Sequence, residues 1–370
     1  MAKKINKSKG TVILGMSGGV DSSVTALLLK KQGYKVIGVF LRNYPDEEPY
    51  LDSICPFKAD KEIAESICKK LNIEFQKLDY RSKYLKSVIQ PMFKSYASNQ
   101  TPNPDVYCNS LIKFPALWKL AKSLKADYIA TGHYARIKKS KSGFQLLQGK
   151  DKTKDQSYFL YKLTQSDLSH TLFPLGNYKK SEIRKIAKSN NLPNWDKQGS
   201  RGICFIGNLD FKEFLKRAVP SSPGPVLDLE GNTLGSHPGA IYFTIGERVG
   251  PKKGIKIDSK YINLIGNKKI YIAKKIKNKL IVAPENHPSL KKSKITIIKL
   301  HKVNPKSIFP KSNIKARIRH LGSLLPGKLT NSKGKLIFIL KTPQKEIADG
   351  QAVTLYHKNV LIAGGLIKTE

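Results

Sequence analysis

The sequence predicts an α/β protein in three parts: a parallel-sheet domain over residues 1–209, a small β-rich middle domain over 210–288, and a basic β-barrel-like domain over 289–370. Three observations carry this. Strand and helix signals alternate through the first half, which is the pattern of crossovers in a parallel sheet. Near Asp210 the texture changes to short β runs behind a breaker cluster of Pro220, Pro223, Gly224 and Pro225. A length of 370 residues also suits two or three domains at roughly 100 to 200 residues each.

In order, Thr11 to Met16 is a short apolar strand. Ser22 to Gln32 follows with Val24, Leu27, Leu28 and Lys31 at helical spacing, stopped by Gly33 in the usual C-terminal cap position. Lys35 to Leu41 is a second buried strand. Asp60 to Leu71 repeats the helical period through Ile63, Ala64, Ile67, Cys68 and Leu71, and Ile73 to Asp79 is the next strand. The pattern returns with a helix over Leu111 to Leu124 and a strand over Asp127 to Thr131. Beyond the breakers, Ala240 to Ile245, Lys269 to Ala273 and Lys279 to Ala283 read as strands of the middle domain. The last part offers Lys294 to Leu300, Lys315 to Arg319, Lys335 to Leu340 and Ala352 to Tyr356, with no long helical period, so a closed or sandwiched β module fits.

Hydrophobic residues at 40% and charged residues at 25% exclude wholesale disorder and fibrous repeats. The net charge of +40 suits a polyanionic partner such as nucleic acid, although 58 lysines against nine arginines is also what a coding bias produces. The segment 291–370 alone holds 17 Lys or Arg against three acidic residues. No stretch approaches the ~20 apolar residues of a membrane span, so no membrane partner is expected. The apolar run after the basic start is shorter than the ~7 to 15 residues of a signal peptide. A cytoplasmic protein is expected, its four cysteines reduced unless they serve redox or sulfur chemistry. The lack of a CxxC pair argues against a cysteine zinc site.

The first strand leads into Ser17-Gly18-Gly19-Val20-Asp21-Ser22-Ser23 and a helix. Two glycines let the backbone turn tightly and aim N–H groups inward, and the helix start adds partial positive charge: together they make an anion cradle. The spacing is neither GxxxxGK[ST] nor GxGxxG. A plain strand-to-helix turn capped by Asp21 or Ser22 is the bland alternative.

Cys108 follows Thr101-Pro102-Asn103-Pro104-Asp105-Val106-Tyr107 in a proline-interrupted loop before a helical run, where a helix dipole would favour the thiolate. Asp105 is placed to shuttle a proton nearby. Cys204 lies between glycines in Gly202-Ile203-Cys204-Phe205-Ile206-Gly207. Two loop thiols suggest one that carries sulfur and one that resolves or attacks, since persulfide transfer is exchange between thiolates. Cys68, on an apolar helix face, reads instead as a small buried hydrophobe, and Cys55 is ambiguous.

Taken together, Gly15 to Ser22, Thr101 to Asn109 with Lys113-Phe114, Ala130-Thr131-Gly132-His133-Tyr134, Lys154-Asp155-Gln156-Ser157-Tyr158-Phe159-Leu160 and the Cys204 string resemble the tRNA-specific 2-thiouridylases, within the N-type ATP pyrophosphatases. The likeness extends through Thr244 to Arg248 and Asp349-Gly350-Gln351, essentially the whole chain. It implies an adenine-nucleotide-binding first domain and an enzyme that adenylates O2 of the tRNA wobble uridine and replaces it with sulfur handed over as a persulfide by a partner protein. By motif, Gly15, Met16, Ser17, Gly18, Gly19, Val20, Asp21 and Ser22 would bind ATP, with Leu41 and Gly132 also contacting the nucleotide. Mg²⁺ is expected on the pyrophosphate, with no protein ligand set legible beyond Asp21. Cys108 would be the nucleophile, Cys204 the persulfide carrier and Asp105 the acid/base. Asn103, Pro104 and Asp105 would surround the base, and His133, Lys154, Asp155, Gln156, Arg317, Ile318 and Gln351 would contact tRNA.

The resting enzyme of such a family can hold its two cysteines as a disulfide. Leu41 stands where Met is common, Arg201 replaces a small polar residue, and Ile318 replaces an aromatic one. His133 has an alternative role as a strand-end structural histidine, and Lys154 to Gln156 as a solvated turn. The rival functions are another ATP pyrophosphatase, such as an amidotransferase-linked synthetase or a lysidine-type tRNA ligase, which needs neither Cys108 nor Cys204, and a basic RNA-binding protein without catalysis.

Overall fold

A computed structural model describes residues 9–43, 57–198, 211–261 and 269–369. The first domain is built on β1 (Thr11–Gly15), α1 (Val20–Lys31), β2 (Lys35–Arg42), α2 (Phe57–Lys70), β3 (Glu74–Asp79), β4 (Tyr128–Ala130), a hairpin of β5 (Ala135–Ser140) and β6 (Gly143–Gln148), and β7 (Thr171–Leu172). The strands β3, β2, β1, β4 and β7 lie in that order and every pair is parallel. Because a parallel sheet is covered on both faces, β1 is apolar throughout, and Val12, Ile13 and Leu14 are wholly buried. Alternation then sorts the strand residues. Ile13, Ile37, Val39 and Leu41 share a core with Phe114 and Leu117, while Val12, Leu14, Val36 and Phe40 pack with Val24 and Leu29 of α1 and Ile67 and Cys68 of α2. Each such side chain contributes about 1.5–3 kcal/mol by leaving water. The Cys68 thiol is pushed up to about 12, chiefly by burial and secondly by Glu65, which makes it an inert packing group as expected.

The middle domain is a five-stranded sheet of β8 (Gly224–Leu227), β9 (Thr233–His237), β10 (Lys256–Ile257), β11 (Ile270–Ile276) and β12 (Lys279–Pro284), in the order β10-β9-β8-β12-β11. β8 starts inside the expected breaker cluster. The expected strand Ala240 to Ile245 is instead a 3₁₀ turn over Ala240–Tyr242. Ala240, Ile241, Tyr242 and Phe243 are all buried. A short apolar run enclosed on every side has no period by which strand and helix can be told apart.

In the last part, β13 (Lys292–Lys302), β14 (Ile314–Arg317), β15 (Leu325–Ser332), β16 (Lys335–Gln344), β17 (Ala352–His357) and β18 (Val360–Lys368) run β13-β16-β15-β14-β17-β18, and β13 pairs with β18 to close a six-stranded antiparallel barrel. Ile295, Ile297, Phe338, Val353 and Leu355 fill it. The barrel does not stand apart. β6 pairs with β18 through Leu147↔Val360 and Leu146↔Leu361, so a hairpin of the first domain extends the barrel sheet. Among the described residues no helix is long and apolar enough to cross a membrane.

Candidate active site

The carboxyl ends of β1 and β4 meet at the Gly-Gly loop, the position where open parallel sheets take ligands. Gly18 has φ +72, and a Cβ there would lie 2.3 Å from the Asp60 carbonyl oxygen, so only glycine lets the loop turn against α2. Ser22 stitches the loop: its hydroxyl accepts from the Ser17 N–H at 3.2 Å and donates to the Gly19 carbonyl at 3.0 Å. Ser23 donates to the same carbonyl at 3.1 Å. The Gly18 carbonyl accepts from buried Asn194 at 2.9 Å. Asp21, at the start of α1, accepts from Lys180 Nζ at 2.6 Å and the Tyr134 hydroxyl at 2.7 Å. Lys197 reaches both Gly18 O and Asp60. The loop thus has preset turns, a helix start and two lysines beside it, the make-up of an anion site. Among the described residues no group of three or more His, Cys, Asp or Glu could hold a metal ion.

Gly132, just after β4, closes on the same helix start. A Cβ there would come within 3.0 Å of the Asp21 carbonyl carbon and the Ser22 nitrogen. Next to it, buried His133 holds Thr131 Oγ1 through Nδ1 at 2.7 Å, and its ring lies over Phe114 with centroids 6.0 Å apart. Burial, and then the Lys113 charge, keeps the His133 pKa well below the usual histidine range. Lys113 Nζ in turn donates to Asn109 Oδ1 at 3.0 Å, and Asn109 Nδ2 donates to the Phe159 carbonyl at 3.3 Å.

The segment bearing Cys108 differs from expectation. It is no loop before a helix. The short helix Pro104–Tyr107 runs directly into a π-helical stretch, Cys108–Lys113, and then into the helix Phe114–Ser123. Pro102 and Pro104 made the stretch read as an interrupted loop, but Pro104 sits within the first two positions of the helix, where its missing N–H costs nothing. Cys108 is therefore past the first turn, where the dipole argument for its thiolate weakens, and it is 1% exposed. π-Helical turns recur at functional sites because they displace a side chain from the regular ladder. Leu41 is buried on β2 in the core that includes Phe114 and Val106. Cys204, Cys55 and Arg201 lie outside the described residues.

The Lys154 to Gln156 stretch is not a solvated turn. Lys154 is exposed, but Asp155 is fully buried. Its carboxylate accepts from Arg317 Nη1 at 2.7 Å, Gln148 Nε2 at 3.0 Å, Gly149 N at 3.0 Å and Ser157 N at 3.1 Å. Gln156 accepts from the Tyr134 N–H through Oε1 at 3.0 Å. Arg317 and Ile318, on the barrel, are 4% and 6% exposed. Gln351 is half-buried and lines a cleft of about 210 Å³ with Thr244 to Glu247, Arg319 and Glu346. Lys180, Asn194 and Lys197 were missed by sequence reasoning, and Tyr134 stood in a motif without a role. No motif marks two lysines among 58, and only the fold brings them to the loop.

Nearby, His320 lies on Phe159 with centroids 4.3 Å apart, and burial, then the Arg317 charge, drives it down to about 4. A histidine held neutral in the fold and free to protonate when unfolded makes the unfolded state bind more protons between about pH 4 and 6.5. Stability is therefore expected to fall as pH drops through that window. Urea unfolding at stepped pH should show a shallower slope for His320→Phe, and an unchanged slope would exclude this histidine as a source.

Residues 10–208 match the family model for a tRNA methyl transferase HUP domain, 212–284 that for a tRNA methyl transferase PRC-barrel domain, and 292–367 that for an aminomethyltransferase beta-barrel domain. The tRNA-specific 2-thiouridylase MnmA of Nitrosomonas europaea is 42% identical, the match covering 98% of this chain and 99% of that protein. The chain belongs to the tRNA-specific 2-thiouridylase family. The MnmA protein of Francisella tularensis subsp. novicida is 40% identical over 96% of this chain and 98% of its own. Membership as a 2-thiouridylase agrees with the resemblance drawn from the motifs, and the parallel-sheet, middle and barrel parts agree with the expected fold class.

Proposed function

We propose that this protein uses ATP to adenylate O2 of the wobble uridine of tRNA and replaces that oxygen with sulfur, giving 2-thiouridine. The observation that carries the reading is unbroken packing from the Gly-Gly loop through Gly132 and His133 to Phe114, Lys113 and Asn109, which sets a nucleotide cradle beside the helix of Cys108. Gly15 to Ser22 hold the phosphates, and Leu41 and Gly132 bound the nucleotide. O2 attacks the α-phosphorus and pyrophosphate leaves. The outer sulfur of the Cys204 persulfide then becomes bonded to C2 as AMP departs with the former O2. Its S–S bond breaks as the Cys108 thiolate supplies two electrons and closes a disulfide with Cys204, which a thiol reductant then reopens. Asp105 serves as the acid/base and Cys108 as the nucleophile. Cys204 carries the persulfide, which a donor protein supplies. Asn103, Pro104 and Asp105 surround the base. Lys154, Gln156 and Gln351 face the RNA, whereas His133, Asp155, Arg317 and Ile318, expected as tRNA contacts, are buried and support that face from behind. Asp21, whose carboxylate now accepts from Lys180 and Tyr134, would be the residue to hold Mg²⁺, and that ion would supply charge neutralisation on the pyrophosphate. The nucleotide-binding domain takes residues 1–209, the middle domain 210–288 and the barrel 289–370.

The test is incubation with ATP, a sulfide or persulfide donor and unmodified tRNA, followed by digestion to nucleosides. AMP without 2-thiouridine would favour another adenylating ligase, and tRNA binding without AMP a non-catalytic binder. Asp21→Ala is expected to lower AMP release by about 10²-fold, the usual scale for losing a group that organises transition-state charge. Its tRNA affinity in a gel-shift titration should hold, and unchanged AMP release would remove the loop from the mechanism.

A further inference from the structure

The string Thr244-Ile245-Gly246-Glu247-Arg248 carries none of the roles above. Its carboxylate is the meeting point of two lysines. Glu247 Oε1 accepts from Lys212 Nζ at 2.8 Å and pairs with Lys253 Nζ at 3.0 Å, with the Glu247 side chain 16% exposed. Glu247 Oε2 accepts from the Thr244 N–H at 3.1 Å. The main chain on either side is tied to β11: the Gly246 N–H donates to the Ile272 carbonyl at 2.7 Å, and the Ile272 N–H to the Glu247 carbonyl at 3.0 Å. The turn is thus a fixed point of the middle domain.

Lys212 belongs to another element, the first turn of the helix Phe211–Ala218. A cation there faces the positive end of the helix dipole and is unfavourable by itself. The Glu247 carboxylate offsets that, and the ammonium also lies over the Phe243 ring, 4.2 Å from its centroid. The helix stands between two cores. Phe214 packs in the buried cluster that contains Cys108, Met92 and Ile112, and its ring meets Phe93 with centroids 5.7 Å apart. Leu215, the next residue, packs with Val226, Tyr242 and Leu280 of the middle domain. The Gly-Gly loop is framed by a different core, in which Met16 and Val20 lie with Val24, Leu29 and Ala64.

We propose that Glu247 is a positioning residue for the sulfur step: through Lys212 it fixes the helix Phe211–Ala218, and with it the Phe214 side of the packing around Cys108. Because the nucleotide loop belongs to the other core, loosening this pair disturbs the thiol and spares adenylation. This inference rests on the functional reading above.

Single-turnover assays of the full-length protein with ATP, a persulfide donor and unmodified tRNA test it, with pyrophosphate release and 2-thiouridine formation read side by side. Glu247→Gln keeps the shape of the side chain and drops its charge. It is expected to slow 2-thiouridine formation about tenfold while pyrophosphate release stays within about twofold of wild type, since a small displacement imposed from a distance suffices for such a loss. Lys212→Met should do the same, and the double variant should be no slower than the slower single one, because both break one pair. Lys212→Arg, which keeps the charge, should thiolate within about twofold of wild type. So should Lys253→Met, whose side chain is 43% exposed and lies outside the helix. A carboxylate that only stabilised the fold would lower both readouts together, and that parallel loss overturns the proposal. Wild-type thiolation in Glu247→Gln overturns it too, as do multiplying effects in the double variant. Should Glu247→Gln fail to fold, the Lys212 variants decide: slow thiolation in Lys212→Met restored in Lys212→Arg supports the pair, and equal rates in the two overturn it. A wild-type protein that makes no 2-thiouridine would bring down the functional reading and this inference together, whereas active wild type with an indifferent Glu247 brings down this inference alone.

Discussion

Cys108→Ser and Cys204→Ser are each expected to lower 2-thiouridine formation by about 10³-fold or more, because removing either member of a pair that acts as a unit costs nearly the whole effect. A serine hydroxyl is close in size to a thiol but is hardly ionised at neutral pH and cannot carry sulfane sulfur. Both variants should still release pyrophosphate from ATP when tRNA is present, since adenylation precedes sulfur attack, while AMP stays bonded to the uridine. Nucleoside analysis beside a pyrophosphate assay separates the two steps. Serine variants that thiolate as well as wild type would remove the thiols from the mechanism. Cys108, at 1% exposure, belongs to a packed cluster with Tyr84, Val88 and Phe214, where a serine hydroxyl costs about 1–3 kcal/mol, so a melting curve beside the assay separates a folding loss from the chemical one.

Asp155→Ala is expected to destabilise the protein by about 3–5 kcal/mol, the range for removing one partner of a buried ion pair. The pair is short at 2.7 Å and almost sealed, with side-chain exposures of 5% for Arg317 and 0% for Asp155. Alanine would strand the Arg317 guanidinium over the Tyr356 ring and take the acceptor from Gln148, Gly149 and Ser157 together. Replacing both partners, as Asp155→Leu with Arg317→Met, should recover only the part of the loss that comes from the unpaired guanidinium, since Gln148, Gly149 and Ser157 still lose their acceptor. Urea unfolding of the full chain measures the difference. A loss below about 1 kcal/mol would place the pair among weak surface bridges despite its burial.

The parallel sheet and the Gly-Gly turn were legible because their signals are local: apolar runs, helical periods and adjacent glycines need no knowledge of distant residues. The barrel was legible as β-rich but not strand by strand. β15 carries Pro326 and Gly327, and β18 carries Gly364 and Gly365, which read as breaks until pairing with neighbours overrides local preference. The placement of Asp155 was hidden for another reason. Its partner Arg317 is 162 positions away, and a charged residue looks solvated until the fold supplies a buried counter-charge. The π-helical turn at Cys108 has no composition cue at all, and a Cys108–Cys204 meeting depends on residues outside the described ones.

The ladder between β6 and β18, continued by the Gln148 N–H to the Asn359 carbonyl at 2.9 Å, bears on how a folded RNA can be served. Main-chain bonds of this kind bar the barrel from swinging on a tether. The polynucleotide, not the polypeptide, then has to give way: its anticodon arm must unstack one nucleotide and thread it toward a stationary pair of walls.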